Sequence, residues 1–157
     1  MWSSEVTNMI ITGIWETLYM TLVSTLVGYV IGLPMGIILT VSDKDGIKPN
    51  AVLYKILDVI ANIVRSVPFI ILLVLLIPFT RLVVGKSYGS TATIVPLVIA
   101  AAPYIARMVE SSLKEVDAGV IEAARSMGAS NFTIITKVML VEARTSLLAV
   151  SYTHLTL

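Results

Sequence analysis

The stretch from Thr17 to Ser42 contains no charged side chain, and this feature constrains the fold more than any other. As an α-helix it would be roughly 39 Å long, which exceeds the roughly 30 Å hydrocarbon core of a bilayer. Hydrophobic residues make up 57% of the chain and charged residues 13%, whereas an average soluble domain is about 25% charged. The sequence therefore predicts a membrane protein and excludes an ordinary soluble enzyme.

Two further apolar stretches, over about residues 59–80 and 89–106, predict two more membrane helices. The second span must run past Arg65, because the charge-free part on its own is short. Prolines that remove a backbone donor and can kink a helix lie in or beside the spans, at Pro34, Pro68, Pro78, Pro96 and Pro103. The predicted fold class is an all-α polytopic membrane protein with three spans.

Lysine and arginine residues are distributed unequally between the segments that flank these spans. Residues 1–16 contain none, and the segment between the second and third spans has only Arg81 and Lys86. The other nine lie between the first two spans, near the start of the second span or after the third: Lys44, Lys48, Lys55, Arg65, Arg107, Lys114, Arg125, Lys137 and Arg144. Because basic loops stay in the cytoplasm, we expect the amino terminus outside and residues 107–150 inside.

Several classes of chemistry are excluded by composition. The chain has no cysteine, and its single histidine, His154, has no partner for a zinc site, so we predict neither a metal site nor a cofactor. A net charge of +1 argues against nucleic-acid binding. Gly85-Lys86-Ser87 resembles the end of a phosphate-binding loop, but Thr80 stands where the first glycine belongs. The first and third spans contain no Asp, Glu or His, which disfavours an ion-coupled secondary carrier.

Gly28, Gly32 and Gly36 recur every four residues in the first span. This spacing places the three glycines on one face of a helix, where the lack of side chains allows a second helix to approach closely. Glycine is also simply common in membrane helices, but the regular register favours a helix-packing face.

After the third span the pattern becomes that of amphipathic helices. An apolar stripe contains Ile105, Met108, Val109, Leu113 and Val116, while Arg107, Glu110, Lys114 and Glu115 lie off it. Asp117 is a suitable N-cap for a short helix over Ala118–Met127. Gly128 suits a left-handed helix end, and Ser130 suits the N-cap of a following helix over Asn131–Val150.

The short helix contains Glu122-Ala123-Ala124, and Gly128 and Val138-Met139-Leu140 follow at fixed distances. This pattern resembles the EAA loop of ABC-importer permeases, although Val141 stands where that loop has a proline. Two further segments, Arg65–Leu72 and Ala102–Glu110, are similar to the permeases of methionine importers. The resemblance covers about residues 12–149.

The resemblance implies the amino-terminal part of a type I ABC-importer permease in a bacterial inner membrane. Such a permease transports amino acids, here methionine, and is not itself an enzyme. It implies four partners: a cytoplasmic ATPase subunit, a second permease copy in a homodimer, an extracytoplasmic substrate-binding protein and the lipid bilayer. In the loop, Ala123 and Ala124 would form the contact face for the ATPase, Glu122 would accept a hydrogen bond, and Gly128 would set the turn.

Other interpretations remain open at this stage. Glu122 could simply pair with Arg125 in an interfacial amphipathic helix. The whole chain could be a non-transporting membrane scaffold, an inactive fragment or part of a secondary carrier. The family continues with further membrane helices, so we assign transport to the intact parent. Residues 1–150 form the permease domain, and residues 151–157 match nothing in the family pattern, so we expect a non-native tail.

Overall fold

The computed structural model describes residues 4–156, and the side chains of residues 4–150. Every regular element in that range is helical: α1 (Ser4–Ser42), α2 (Ala51–Ser66), α3 (Phe69–Leu75), α4 (Ile77–Val84), α5 (Ser90–Lys114), α6 (Ala118–Ser126), α7 (Asn131–Thr133), a π-helix (Ile134–Met139), α8 (Leu140–Glu142) and α9 (Arg144–Thr156). The predicted all-α class is confirmed. The side chains of the expected non-native tail, residues 151–157, lie outside the described part.

Two helices, α1 and α5, are long and apolar enough to cross a membrane. With 39 residues, α1 is roughly 58 Å long. It ends at Ser42 as predicted but begins at Ser4, well before the predicted span. Helix α5 begins one residue after the predicted start at Gly89 and continues through the amphipathic segment to Lys114. Pro34, Pro96 and Pro103 lie inside these two helices without ending them.

The prediction of one helix over residues 59–80 is wrong, because the structure has three helices there. Helix α2 ends at Ser66, and α3 begins at Phe69 after a bend of 106°. Val67 is extended, with φ −82° and ψ 124°, as expected for a residue before proline, and Pro68 offers no N–H to continue α2. A third membrane crossing exists only if the bent pair of α2 and α3 is counted as one span.

The glycine face of α1 packs directly on α5. A Cβ atom at Gly32 would lie 2.7 Å from the backbone oxygen of Ala102, and one at Gly36 would lie 2.6 Å from that of Ala106. At Gly28 the nearest atom would be the Cβ of Ala101, at 3.1 Å. Because these glycines have no side chains, α1 and α5 can approach each other this closely.

The core continues from α5 into the carboxyl-terminal helices. Buried residues from α5, α6, the π-helix and α9 form one cluster, which includes Ile105, Val109, Leu113, Ala124, Ile134, Met139 and Leu147. By contrast, residues 4–19 of α1 are all exposed. The folded centre of the chain is thus the half of α1 after Ser24, packed on α5 and on the helices that follow it.

We expect Gly32→Ala to destabilise the chain by on the order of 1–3 kcal/mol, since the new methyl group would force α1 and α5 apart. Gly13 is the matched control, because it lies in the same helix and a Cβ there meets nothing within 4 Å. Thermal unfolding in detergent should show a lower midpoint for Gly32→Ala and an unchanged or higher midpoint for Gly13→Ala. Equal midpoints for the two variants would show that the glycine face does not limit packing.

Candidate functional site

The loop between α5 and α7 is built by three local signals that the sequence contains. Asp117 accepts a hydrogen bond from the backbone N–H of Gly119 at 2.7 Å and so caps α6. Gly128 has φ 81°, a left-handed conformation that ends the helix. Ser130 accepts from the backbone N–H of Thr133 at 3.2 Å and caps the next helix. The predicted caps and turn are therefore confirmed, but the prediction of one helix over Asn131–Val150 is wrong, because the structure divides this segment into α7, the π-helix, α8 and α9.

The two faces of α6 have different surroundings. Ala124 is 5% exposed and belongs to the chain's own core, so the prediction that it contributes to a contact face for a partner is wrong. Glu122 and Ala123 are exposed. The short helix turns Ala124 inward, because core contacts with Ile134 and Met139 are available on that side. Of the two alanines, only Ala123 is available to an external surface.

Within the described residues, Glu122 and Arg125 do not form an ion pair, although they are spaced for one on α6. Both instead line a cavity of about 490 Å³ between α6, the end of α5 and the loop after α1. Asp43, Asp45 and Lys114 also line this cavity. The interfacial-helix interpretation relied on that pair and therefore loses its supporting contact.

Large apolar side chains next to the loop are exposed. Met127 is 82% exposed and Phe132 is 75% exposed, on either side of Gly128 and Ser130. The sequence analysis did not single them out, because the same residue types would also suit the core. Together with Glu122 and Ala123 they form what we call the loop surface: Glu122, Ala123, Met127, Gly128 and Phe132.

A cluster of polar side chains links α1, α2 and α5 next to the loop. We call it the polar cluster; its members are Asp43, Tyr54, Asp58, Asn62, Arg107, Glu110 and Lys114. The sequence analysis predicted the pair of Glu110 and Lys114, and their atoms Oε1 and Nζ are 2.8 Å apart. It placed Glu110 off the buried stripe, which is wrong, because the residue is 5% exposed.

Two cations of α5 hold the cluster together. Arg107 bonds to Asp58 and lies 2.8 Å from Glu110, so that it joins α5 to α2. Lys114 lies 2.6 Å from Asp43 and 2.8 Å from Glu110, and it therefore ties the end of α5 to the end of α1. The hydroxyl of Tyr54 donates to Glu110 over 3.3 Å. Glu110 can be buried as a charge because these three groups surround it.

The hydrogen bond from Lys114 lowers the pKa of Asp43 below its usual value, and a backbone hydrogen bond from Lys44 acts in the same direction against partial burial. A carboxylate with a lowered pKa in the folded state stabilises that state above the pKa of the unfolded chain. This contribution is lost as the pH falls through the pKa of the folded state. The tie between α1 and α5 is therefore sensitive to acid.

No group of three or more His, Asp or Glu side chains that could hold a metal ion lies within the described residues.

We expect Asp43→Asn to lower the thermal midpoint at pH 6 and to flatten its decline between pH 5 and pH 3, because the acid-sensitive contribution is removed. Asp45→Asn is the control: Asp45 forms only a long contact of 3.8 Å with Lys44, and both side chains are 84% exposed. Unfolding in detergent across this pH range measures both effects. An Asp43→Asn curve parallel to that of the unmodified chain would contradict the assignment.

Comparison with known proteins gives concordant matches. The family described as "Binding-protein-dependent transport system inner membrane component" matches residues 28–155. The D-methionine transport system permease protein MetI of Salmonella typhimurium is 53% identical over 86% of this chain, which spans 62% of that relative's length. The methionine import system permease protein MetP of Bacillus subtilis is 46% identical over 95% of this chain and 69% of its own length.

Solved structures agree with these relatives. A chain of the MetNI methionine ABC transporter in an inward-facing conformation superposes with a TM-score of 0.95 at 50% identity, over 98% of this chain and 71% of that one. An amino acid ABC transporter with histidines shares the fold alone, with a TM-score of 0.75 at 24% identity. The family match over residues 28–155 includes the half of α1 that packs on α5, the whole of α5 and the loop surface. The chain therefore belongs to the family of binding-protein-dependent transport system inner membrane components.

Proposed function

We propose that this chain is part of the permease subunit of an ATP-driven methionine importer, and that its loop surface couples the motion of an ATPase subunit to the membrane helices. The single observation that carries the proposal is the capped helix α6 and its Gly128 turn, in a chain 53% identical to a D-methionine transport permease. ATP hydrolysis belongs to the separate ATPase subunit.

The construction of the loop supports a coupling role. Ala124 anchors α6 in the core with α5 and the π-helix, whereas Glu122, Ala123, Met127 and Phe132 remain exposed. A force applied to the exposed face of α6 is therefore transmitted through packed side chains to α5. Exposed Met and Phe side chains beside a small alanine are suited to a partner groove, since aromatic residues and methionine are enriched at interface cores.

The remaining partners follow from the same proposal. The ATPase subunit binds on the cytoplasmic side, a second permease copy completes the homodimer, and a substrate-binding protein delivers methionine from outside. The amino terminus lies outside and the loop lies inside, as the distribution of lysine and arginine predicts. The exposed apolar side chains of α1, such as Met9, Trp15 and Leu22, are available to the bilayer or to the second copy.

A cysteine in place of Ser126 tests the orientation, and the chain has no other cysteine to interfere. Ser126 is exposed at the end of α6, so a reagent that reaches that side of the membrane will reach it. We expect no labelling by an impermeant maleimide in intact cells and full labelling after permeabilisation. Ser87→Cys, in the predicted outside loop, is the control that should label in intact cells. Labelling of Ser126→Cys in intact cells would reverse the orientation.

Gly128→Val tests the coupling role. Valine at φ 81° costs about 1–3 kcal/mol in backbone strain and redirects the chain after α6. Gly85→Val is a matched control, because Gly85 also has a positive φ, 82°. A Cβ atom added at either glycine meets nothing within 4 Å. Both variants should insert into the membrane, since neither position lies within a helix. Only Gly128→Val should lose the co-purified ATPase and methionine uptake.

The milder variant Glu122→Ala removes an exposed hydrogen-bond acceptor and leaves the backbone conformation of the loop unchanged. We therefore expect a partial loss of methionine uptake. If Gly128→Val retains both the ATPase and normal uptake, the loop is not a coupling element, and the scaffold interpretation becomes the better one. If Gly85→Val also loses the co-purified ATPase and methionine uptake, backbone strain alone accounts for both losses.

A further inference from the structure

A cavity of about 600 Å³ lies beside the break between α2 and α3. Its walls come from three helices: Phe69 and Leu72 of α3, Leu97 and Ala100 of α5, and, at the polar end, Arg65 of α2 and Tyr104 of α5. Ligand sites in proteins are commonly clefts of about 300–1,000 Å³ that are mostly apolar and have a few polar groups to fix orientation. The size and the lining of this cavity match that description.

Arg65 is a cation without a carboxylate partner among the described residues. The two nearby cations of α5 are matched: Arg107 contacts Asp58 and Glu110, and Lys114 contacts Asp43 and Glu110. Arg65 instead lies 5.9 Å from the centroid of the Tyr104 ring, a cation–π contact, and its side chain is exposed.

The break at Val67 and Pro68 adds a second reason to place a ligand here. If α2 and α3 form one broken span, the backbone of this break is tolerated there only where it is buried in protein or lines a water-filled cavity. The cavity borders this break directly, because Val67 is one of its lining residues. Where α2 and α3 are counted as one broken span, Arg65 is an ionisable residue of that span next to its break, which by default makes it a candidate for a functional site.

We propose that this cavity is a transit site for the imported amino acid, in which Arg65 binds the α-carboxylate and the apolar wall receives the side chain. The inference deepens the proposed function and rests on it. A guanidinium fork binds a carboxylate through two parallel hydrogen bonds, which a lysine ammonium cannot reproduce. An unbranched thioether side chain packs well on Leu72 and Leu97 and against the ring of Phe69.

Direct binding tests the proposal. Tritiated L-methionine is bound to the purified importer in phosphatidylcholine vesicles, without nucleotide and without the substrate-binding protein. We expect Arg65→Gln to weaken binding at least tenfold and Arg65→Lys to give an intermediate loss. Ala100→Leu, which narrows the cavity and leaves Arg65 in place, should weaken binding at least threefold. Arg81→Gln removes a different exposed arginine and should change nothing.

Competition identifies the chemistry that is recognised. L-Norleucine, which retains the carboxylate and a linear apolar side chain, should displace methionine, and L-methioninol, which has an alcohol in place of the carboxylate, should not. The same cation could instead bind the phosphate of an anionic lipid. Displacement of methionine by phosphatidylglycerol at low content in the vesicles would assign the site to lipid and overturn the proposal.

Two further results would overturn it: equal affinity of the unmodified importer and Arg65→Gln, or no methionine binding by an importer that retains its ATPase subunit. An importer that retains its ATPase subunit but does not bind methionine would contradict the transit site and leave the proposed coupling role unaffected. Loss of the ATPase from every preparation would count against the proposed function instead.

Discussion

The close approach of α1 and α5 is the contact on which the rest of the structure depends. Between membrane helices there is no gain from removing apolar surface from water, so association relies on van der Waals contact over short distances. Gly28, Gly32 and Gly36 provide that contact because backbone and Cβ atoms of α5 occupy the space where their side chains would be. The separation of the two helices is fixed along their length by this contact and at the end of α5 by the ion pair of Lys114 with Asp43.

The polar cluster and the loop surface lie at the same end of α5, and this arrangement gives the coupling proposal a physical route. Lys114 is three residues before the Asp117 cap, and its partner Asp43 directly follows α1. A displacement of α6 must therefore either carry the ends of α1 and α5 with it or break the ion pair of Lys114 with Asp43. Breaking this pair removes the contact of Lys114 from the Asp43 carboxylate, whose side chain is 19% exposed, so joint movement is favoured.

The parts of the fold that could be predicted are those determined by neighbouring residues in the sequence. Asp117, Gly128 and Ser130 act within four residues, and each has the predicted conformation or hydrogen bond. The burial of Ala124 and Glu110 depends on helices distant in sequence, and an amphipathic pattern alone could not assign them. The break at Pro68 had a visible signal, but the continuous apolar composition around it favoured a single span. The unmatched charge of Arg65 became apparent only once the partners of Arg107 and Lys114 were known.

The π-helix at Ile134–Met139 explains why the last predicted helix could not be followed by periodicity. Ile134 and Met139 are both buried, although residues five apart in an α-helix point about 140° away from each other. The wider turn, with the Leu140 N–H bonded to the Ile135 oxygen, brings them to one side. A π-helical turn contains one residue more than an α-helical turn. Deleting one residue here would therefore leave an α-helical turn with its backbone hydrogen bond intact. Relatives in which the chain is one residue shorter here could therefore keep the same core, whereas such a deletion within α5 would rotate every following side chain by about 100°.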